Sequence, residues 1–516
     1  MFRTAELDHS LDKTEYLRRE AELRQELLTL QGELREADFP VLLVFAGVDG
    51  AGKGETVNQL NEWLDTRLLL TRAFDQPSDE ERERPLYWRY WRELPARGRI
   101  GMYLSSWYSA PLLDRVYERI GVETFDERLD RIRNFEEAIA HDGALILKFW
   151  MHLSAPAQEK RLKKLERDPL LKWRVTARDW EHWRLYPRFI AAAERALMRT
   201  GTGDAPWKIV EGFDERYRIV TVATILRDAI RRRLAERRLL HEVVQQVNDG
   251  GGETLQALVE GSAVLPGQPT VLDSLDLGKA LPKAEYRERL LKLQGRLNRL
   301  QRRARERGVS TVLVFEGWDA AGKGGAIRRI TSAIDARDYQ VVQVAKPTDE
   351  EAARHYLWRF WRYMSRAGRM TIFDRSWYGR VLVERVEGFA RPAEWRRAYA
   401  EINDFEDHLL EHGIVLVKFW LHLSRGEQQR RFETRAATPW KSWKLTDEDW
   451  RNRERWQDYE HAVNDMVEHT STRQAPWVLV EAEDKYHARV CVLEHVCEHL
   501  ERGLKRAARR NGISAG

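Results

Sequence analysis

Two lysines in this chain stand at the end of glycine-rich turns that follow short apolar runs, and such an arrangement handles phosphate. The clearer stretch is TVLVFEGWDAAGKGG, from Thr311 to Gly325. Gly317, Gly322 and Lys323 have Walker A spacing, with Ala321 and Gly324 in the same turn. Small residues let backbone N–H groups close round phosphate oxygens, and the lysine supplies a point charge. The hydroxyl that normally follows the lysine and binds Mg²⁺ is replaced by Gly324, so a metal here needs another oxygen. Asp319, inside the turn, is the nearest candidate in sequence. A glycine-rich turn with a lysine can also be a plain tight connection.

The pattern occurs twice. Val41 to Gly54 reads VLLVFAGVDGAGKG, and Gly47, Asp49, Gly52 and Lys53 precede Gly317, Asp319, Gly322 and Lys323 by 270 residues. The offset holds for Tyr16 and Tyr286, Trp107 and Trp377, Trp173 and Trp443. It holds also for KFWMHLS at Lys148 with KFWLHLS at Lys418, and for APW at Ala205 and Ala475. Such a period is too long for a solenoid unit, so the chain is read as two whole domains in tandem. Residues 1–240 and 276–510 form the copies, joined by a linker over 241–275 that contains NDGGGE and VLPGQP. The same linker holds LQALVE, an apolar stretch able to be ordered.

The elements that position these turns alternate. A charged amphipathic helix over Thr14 to Ala37, copied at Tyr286 to Arg307, leads into each first strand and could pack on its own domain or against another subunit. In the second copy, strands are expected at Tyr339 to Ala345, Arg369 to Phe373, Ile414 to Leu421 and near Trp477 to Val480. Between the first two of these, HYLWRFWRYMSRAGRM from His355 reads as a helix packed by its aromatics rather than as a base-stacking platform. Strands alternating with helices give a parallel sheet with ligands at the strands' C-terminal ends. The third strand delivers Asp374 where a Walker B carboxylate belongs, followed by Arg375. A carboxylate at a strand end can also merely cap a helix. The stretch RFETRAATPWKSWKLTDEDW, with Arg431, Arg435, Lys441 and Lys444, is either a basic lid over anionic substrates or a solvated surface helix.

The copies disagree where the charge lies. Leu104 stands for Asp374, Ser105 for Arg375, Ala110 for Arg380, Gln76 for Lys346, Leu165 for Arg435 and Leu171 for Lys441, while Asp49 and Lys53 are kept. Phosphoryl transfer consists largely of neutralising charge and holding groups in line. The first copy is therefore expected to be catalytically silent or nearly so.

Bulk properties bound the rest. The net charge of +5 in 516 residues cannot by itself argue for a polyanionic partner. Cys491 and Cys497, six apart in one helix, fall on different faces, so reduced thiols and no zinc site are expected. With no apolar leader and no stretch of roughly 18 uncharged apolar residues, no membrane association and a cytoplasmic location are expected. The basic tail from Lys505 through Arg510 reads as a frayed helix end.

The strings GWDAAGKGG, FDRSWYGR, KFWLHLS and WKSWKLTDEDW closely resemble the family 2 polyphosphate kinases, which transfer phosphate between inorganic polyphosphate and nucleotides. The fused two-domain form is similar to the class that phosphorylates nucleoside monophosphates. The resemblance implies an α/β fold of two tandem P-loop kinase-like three-layer α/β/α domains with parallel sheets, related to thymidylate kinase. It implies Mg²⁺, with Mn²⁺ as the alternative ion, and conversion of AMP and polyphosphate to ADP by the second domain. Carried over residue by residue, it places Asp319, Lys323, Asp374, Arg375 and Arg435 in catalysis, with Asp319 and Asp374 on the metal. Gly317, Ala321, Gly322, Gly324, Lys346, Arg380, Glu384, Lys441 and Lys444 are the expected substrate-binding set. The glycine after the lysine is a trait of the family. Polyphosphate and AMP or ADP are the expected partners, nucleic acid is not, and a homodimer is the expected assembly. The rival readings are an ATP-dependent nucleoside monophosphate kinase, a polyphosphate-driven nucleoside diphosphate kinase and, for the first copy, a non-catalytic binding module.

Overall fold

The structure, a computed structural model, describes residues 1–249, 270–439 and 447–510. The strings LQALVE and VLPGQP, most of NDGGGE, and Lys441 and Lys444 lie outside the described residues. The chain divides into two compact units. The first comprises Met1–Pro77, Glu93–Glu253 and Ala352–His355; the second comprises Ser78–Arg92, Thr254–Glu351 and Tyr356–Gly516. Each unit thus takes a short piece from the other copy of the repeat.

Each unit is built on one five-stranded sheet whose pairings are parallel. In the first the strands are β1 (Val41–Gly47), β2 (Leu69–Ala73), β3 (Ile100–Leu104), β4 (Leu145–His152) and β5 (Trp207–Glu211), in the order β2-β3-β1-β4-β5. In the second, β6 (Thr311–Gly317), β7 (Tyr339–Gln343), β8 (Met370–Asp374), β9 (Val415–His422) and β10 (Trp477–Glu481) repeat that order. All eight residues of β4 and of β9 are buried, Lys148, Lys418 and the histidines included. Near-continuous burial is what a parallel sheet covered on both faces requires, and it explains why these strands read as apolar runs instead of alternating. From β6 the chain runs toward one edge and later crosses to the other through β9, so a crevice opens at the C-terminal end of β6.

The helices that bear on the argument are, in chain order, α1 (Lys13–Leu34), α2 (Lys53–Trp63), α3 (Glu215–Asp249), α4 (Lys283–Glu306), α5 (Lys323–Thr331), α6 (Pro392–Glu411), α7 (Arg425–Ala436), α8 (Asp447–Glu454), α9 (Trp456–Thr470) and α10 (Lys485–Arg510). Asp12 caps α1, accepting from the N–H groups of Thr14 and Glu15. The leader helix packs on its own unit: α1 lies against α3, and α4 against α10. Arg227 pairs with Glu26, and Arg289 with Glu494. Helix α10 continues to Arg510, so the basic tail extends a regular helix.

The aromatic segment departs from expectation. Instead of one helix there is a four-residue helix at Trp358–Trp361, ended by the turn that leads to β8, and its Trp358, Phe360 and Trp361 are buried. The side chains pack as a core, as read, without regular helix to carry them. Cys497 is buried and Cys491 half-buried, both unbridged.

Beneath β8 and β9 lies a polar core that repeats in both units. Lys418 Nζ donates to Glu406 Oε2 at 2.7 Å, to the Thr470 carbonyl at 2.7 Å and to the Tyr378 hydroxyl at 3.0 Å. Glu406 Oε1 accepts from Tyr378 and from the Trp377 indole. Lys148, Glu136, Tyr108, Trp107 and Thr200 form the same set in the first unit. Burial pushes each carboxyl up and each ammonium down, and the direct contact within the pair opposes both shifts.

Candidate active site

In the second unit the turn after β6 is shaped by two glycines. Gly317 has φ +146°, and a Cβ there would lie 2.5 Å from the Leu421 carbonyl oxygen. Gly322, at φ +111°, starts α5, whose first residue is Lys323. Gly324 faces open space, leaving room for a ligand against the helix N-terminus. Lys323 Nζ donates to the carbonyls of Gly317 at 2.6 Å and Trp318 at 3.3 Å, and so lies across the turn.

The turn is held from below by Arg431. Its guanidinium donates to the carbonyls of Ala320 (2.9 Å) and Ala321 (3.1 Å), and to those of Ala482 (2.7 Å) and Glu483 (2.8 Å) beyond β10. Glu427 completes its pairing. Read in the sequence as part of either a basic lid or a solvated surface helix, Arg431 is instead a buried strut that satisfies backbone oxygens; burial forces it to spend every donor on protein.

Asp319 sits at the centre. Oδ1 accepts from Arg375 Nη2 at 3.2 Å and Oδ2 from Asn452 Nδ2 at 3.0 Å, while its carbonyl accepts from Gln428. Burial pushes its carboxyl up, but Lys323, Arg375 and Asn452 outweigh that, and the pKa falls below the usual carboxylate value. Asp374 is the last residue of β8, in register with Phe315 two residues before Gly317. The parallel ladder therefore delivers the second carboxylate beside the turn. Arg375, next in line, adopts φ +64°, a left-handed conformation that costs a non-glycine residue on the order of 1 kcal/mol. Its N–H bonds the Phe315 carbonyl.

A third carboxyl was not singled out in the sequence. Glu316, the residue before Gly317, is buried and accepts from Ser376 Oγ at 2.8 Å; burial pushes its pKa up, against that hydrogen bond. Ala46 replaces it in the first copy, which is the one signal that could have marked it. Arg380 and Glu384 pair with each other at 3.2 Å, Arg380 lying over the Tyr356 ring. Lys346 stands exposed beyond β7, and Arg435 is half-buried in the last turn of α7. The structure thus gathers Gly317, Asp319, Ala321, Gly322, Lys323, Gly324, Asp374 and Arg375 around one turn.

The corresponding turn in the first unit is built differently. Lys53 lies across it, donating to Gly47 and Val48. Leu104 occupies the register position of Asp374, opposite Phe45. Asp49 Oδ2 meets His182 Nδ1 at 2.5 Å. Glu55, where the second copy has Gly325, is gripped by Arg161, Arg174 and Arg218. Arg218 is wholly buried against Gly52, whose Cβ would fall 2.1 Å from its Cζ. The groove beside α2 is lined by Glu55, Asn58, Gln59, Leu165 and Glu215 among others. The same positions in the second copy hold Gly325, Arg328, Arg329, Arg435 and Lys485.

Mg²⁺ usually keeps several waters and takes one or two carboxylates together with substrate phosphates. Asp319 and Asp374 fit that requirement, since no third protein ligand is needed; among the described residues no group of three or more His, Cys, Asp or Glu could hold a metal. The first unit offers Asp49 alone, with His182 against one of its oxygens. Among the described residues no helix is long and apolar enough to cross a membrane.

Comparison with known proteins agrees with this geometry. The family described as polyphosphate kinase 2 matches residues 10–238 and 280–508. The chain is 48% identical over 513 residues to a polyphosphate:AMP phosphotransferase of Pseudomonas aeruginosa, covering 98% of this chain and 100% of that one. It is 45% identical to a protein of the same name from Pseudomonas syringae pv. tomato, over 98% of this chain and 99% of the relative. A crystal structure of a polyphosphate kinase 2 from Pseudomonas aeruginosa superposes with a TM-score of 0.86 at 47% identity, covering 98% of this chain and all of that one. With the family model matching both tandem α/β/α units, and a relative 48% identical over its full length, this chain belongs to the polyphosphate kinase 2 family.

Proposed function

We propose that the chain transfers the terminal phosphate of inorganic polyphosphate to AMP, giving ADP and a polymer shorter by one phosphate, and that the second unit carries the reaction. The activity is supported by full-length relatives that bear its name. The observation that carries the choice of unit is an exchange of residues between the copies: the positions of Asn58, Gln59, Leu165 and Glu215, which line a groove of the first unit together with Arg161, Lys164 and Arg174, are Arg328, Arg329, Arg435 and Lys485 in the second. The exchange adds positive charge and so favours a polyanion at the second copy.

In this reading backbone N–H groups of the turn and Lys323 hold phosphate oxygens, and the basic residues of the second copy orient the chain. Arg375 and Arg435 neutralise charge that builds on the transferring group. Asp319 and Asp374 would hold Mg²⁺, which when bound supplies further charge neutralisation at the phosphates. The attacking AMP oxygen is ionised near neutral pH because a phosphate monoester's second pKa is about 6, so no general base is required. A homodimer and a cytoplasmic site of action belong to the same proposal.

The test is ADP formation from AMP and polyphosphate without ATP. The intact protein and Lys53→Ala should turn over comparably, and Asp374→Ala should lose orders of magnitude in kcat while keeping its melting temperature. Turnover with ATP but not polyphosphate would overturn the donor assignment; loss with Lys53→Ala would overturn the division between units.

A further inference from the structure

Helix α8 reaches the turn after β6 through an amide. Asn452 Nδ2 donates to Asp319 Oδ2 at 3.0 Å, and the Tyr459 hydroxyl donates to Asn452 Oδ1 at 3.1 Å. A carboxylate only accepts, so the amide must turn its N–H₂ toward Asp319 and its oxygen toward Tyr459. The neighbouring residue is fixed as well: the Trp318 indole lies flat on Trp456, with centroids 3.7 Å apart and planes within 9°. Asp319 is thus bracketed by contacts from α8 and α9.

In the first copy each of these partners is different. Val48 stands for Trp318, His182 for Asn452, Tyr186 for Trp456 and Phe189 for Tyr459. His182 meets Asp49 at 2.5 Å, and the Phe189 ring, which has no hydroxyl, packs 5.1 Å from the imidazole. The copy that lacks the second carboxylate is the copy in which the first is held by a histidine.

We infer that Asn452, oriented by Tyr459, is a positioning residue that holds Asp319 in the rotamer able to take a divalent cation, and that histidine at this place removes that ability. The inference rests on Asp319 being a cation ligand. A neutral amide occupies one carboxylate oxygen with one donor and brings no net charge, so the carboxylate keeps its attraction for a cation. In the first copy imidazole brings a ring nitrogen to the corresponding oxygen at 2.5 Å, closer than the amide's 3.0 Å.

The experiment measures Mn²⁺ binding to the full chain by electron paramagnetic resonance, without substrates, beside steady-state kinetics and melting temperature. Asn452→His should weaken Mn²⁺ binding and lower kcat by roughly tenfold or more, with KM for AMP nearly unchanged, the usual scale for a residue that orients a metal ligand. Tyr459→Phe should give a smaller loss of both, and adding it to Asn452→Ala should cost nothing further. Asn452→Ala that binds Mn²⁺ and turns over like the parent overturns the inference. If the Asn452 variants melt early, Tyr459→Phe, which keeps the ring, decides alone: unchanged Mn²⁺ binding and kcat overturn it. Asp319→Asn separates the two levels. Should that variant lose Mn²⁺ binding while the Asn452 and Tyr459 variants keep it, only the positioning role fails; should it bind Mn²⁺ normally, the cation reading of Asp319 fails and the inference with it.

Discussion

Lys418 Nζ lies 2.7 Å from Glu406 Oε2 with both side chains shielded from solvent, and the pair is reproduced 270 residues earlier by Lys148 and Glu136. A charge network present in both copies serves the fold, because only one copy carries Asp374 and Arg375. It ties β9, α6 and α9 to the residues that follow Arg375.

Removing one member of such a pair leaves the other buried and unpaired. Lys418→Met is expected to destabilise the second unit by about 3–5 kcal/mol, read as an earlier urea transition. The double change Lys418→Met with Glu406→Leu should recover part of the loss, since it removes both charges.

The glycines of the turn should separate by role. Gly317→Ala places a Cβ 2.5 Å from the Leu421 carbonyl at φ +146°, so loss of both stability and turnover is expected. Gly324→Ala meets nothing within 4 Å. Its melting temperature should hold or rise slightly, because alanine restricts the unfolded chain. Its KM for polyphosphate should rise, because the methyl group enters the space left for phosphate. Equal effects of the two changes on stability would contradict this account.

His422 is expected to make the second unit acid-sensitive. Its Nδ1 accepts from the indoles of Trp318 at 3.2 Å and Trp420 at 3.4 Å, and burial pushes its pKa down to about 4. An unfolded histidine titrates near 6.5. The folded value lies below the unfolded one, so this contribution is fully present above pH ~6.5 and is lost as pH falls toward 4, on the order of 3 kcal/mol in all. His422→Asn keeps an acceptor but cannot charge there. Its stability between pH 7 and 4 should fall less steeply than the parent's, and an equally steep profile would remove His422 as the cause.

Much of this was legible in the chain. The constant offset of 270 gave the duplication, β-branched runs gave the strands, and glycine spacing gave the turn with Asp319 and Lys323. Asp374 was legible because strand register carries a residue at a strand's end to a predictable place. Arg431 was not, since composition does not reveal whether an arginine turns outward to ligand or inward to carbonyls. Glu316 and Asn452 were missed for a related reason: each acts through one partner distant in sequence, Ser376 and Asp319. Their only sequence signal was the exchange for Ala46 and His182 between copies. The short helix at Trp358–Trp361 shows that aromatic spacing can mark burial without marking regular helix.

The left-handed backbone at Arg375 recurs at Ser105, φ +49°, where neither the arginine nor its carboxylate neighbour survives. The bend is thus kept where the two side chains differ. Every molecule therefore carries two versions of one backbone turn, differing in side chains. Substitutions grafted from the second copy onto the first would ask how few side chains separate a scaffold from an enzyme.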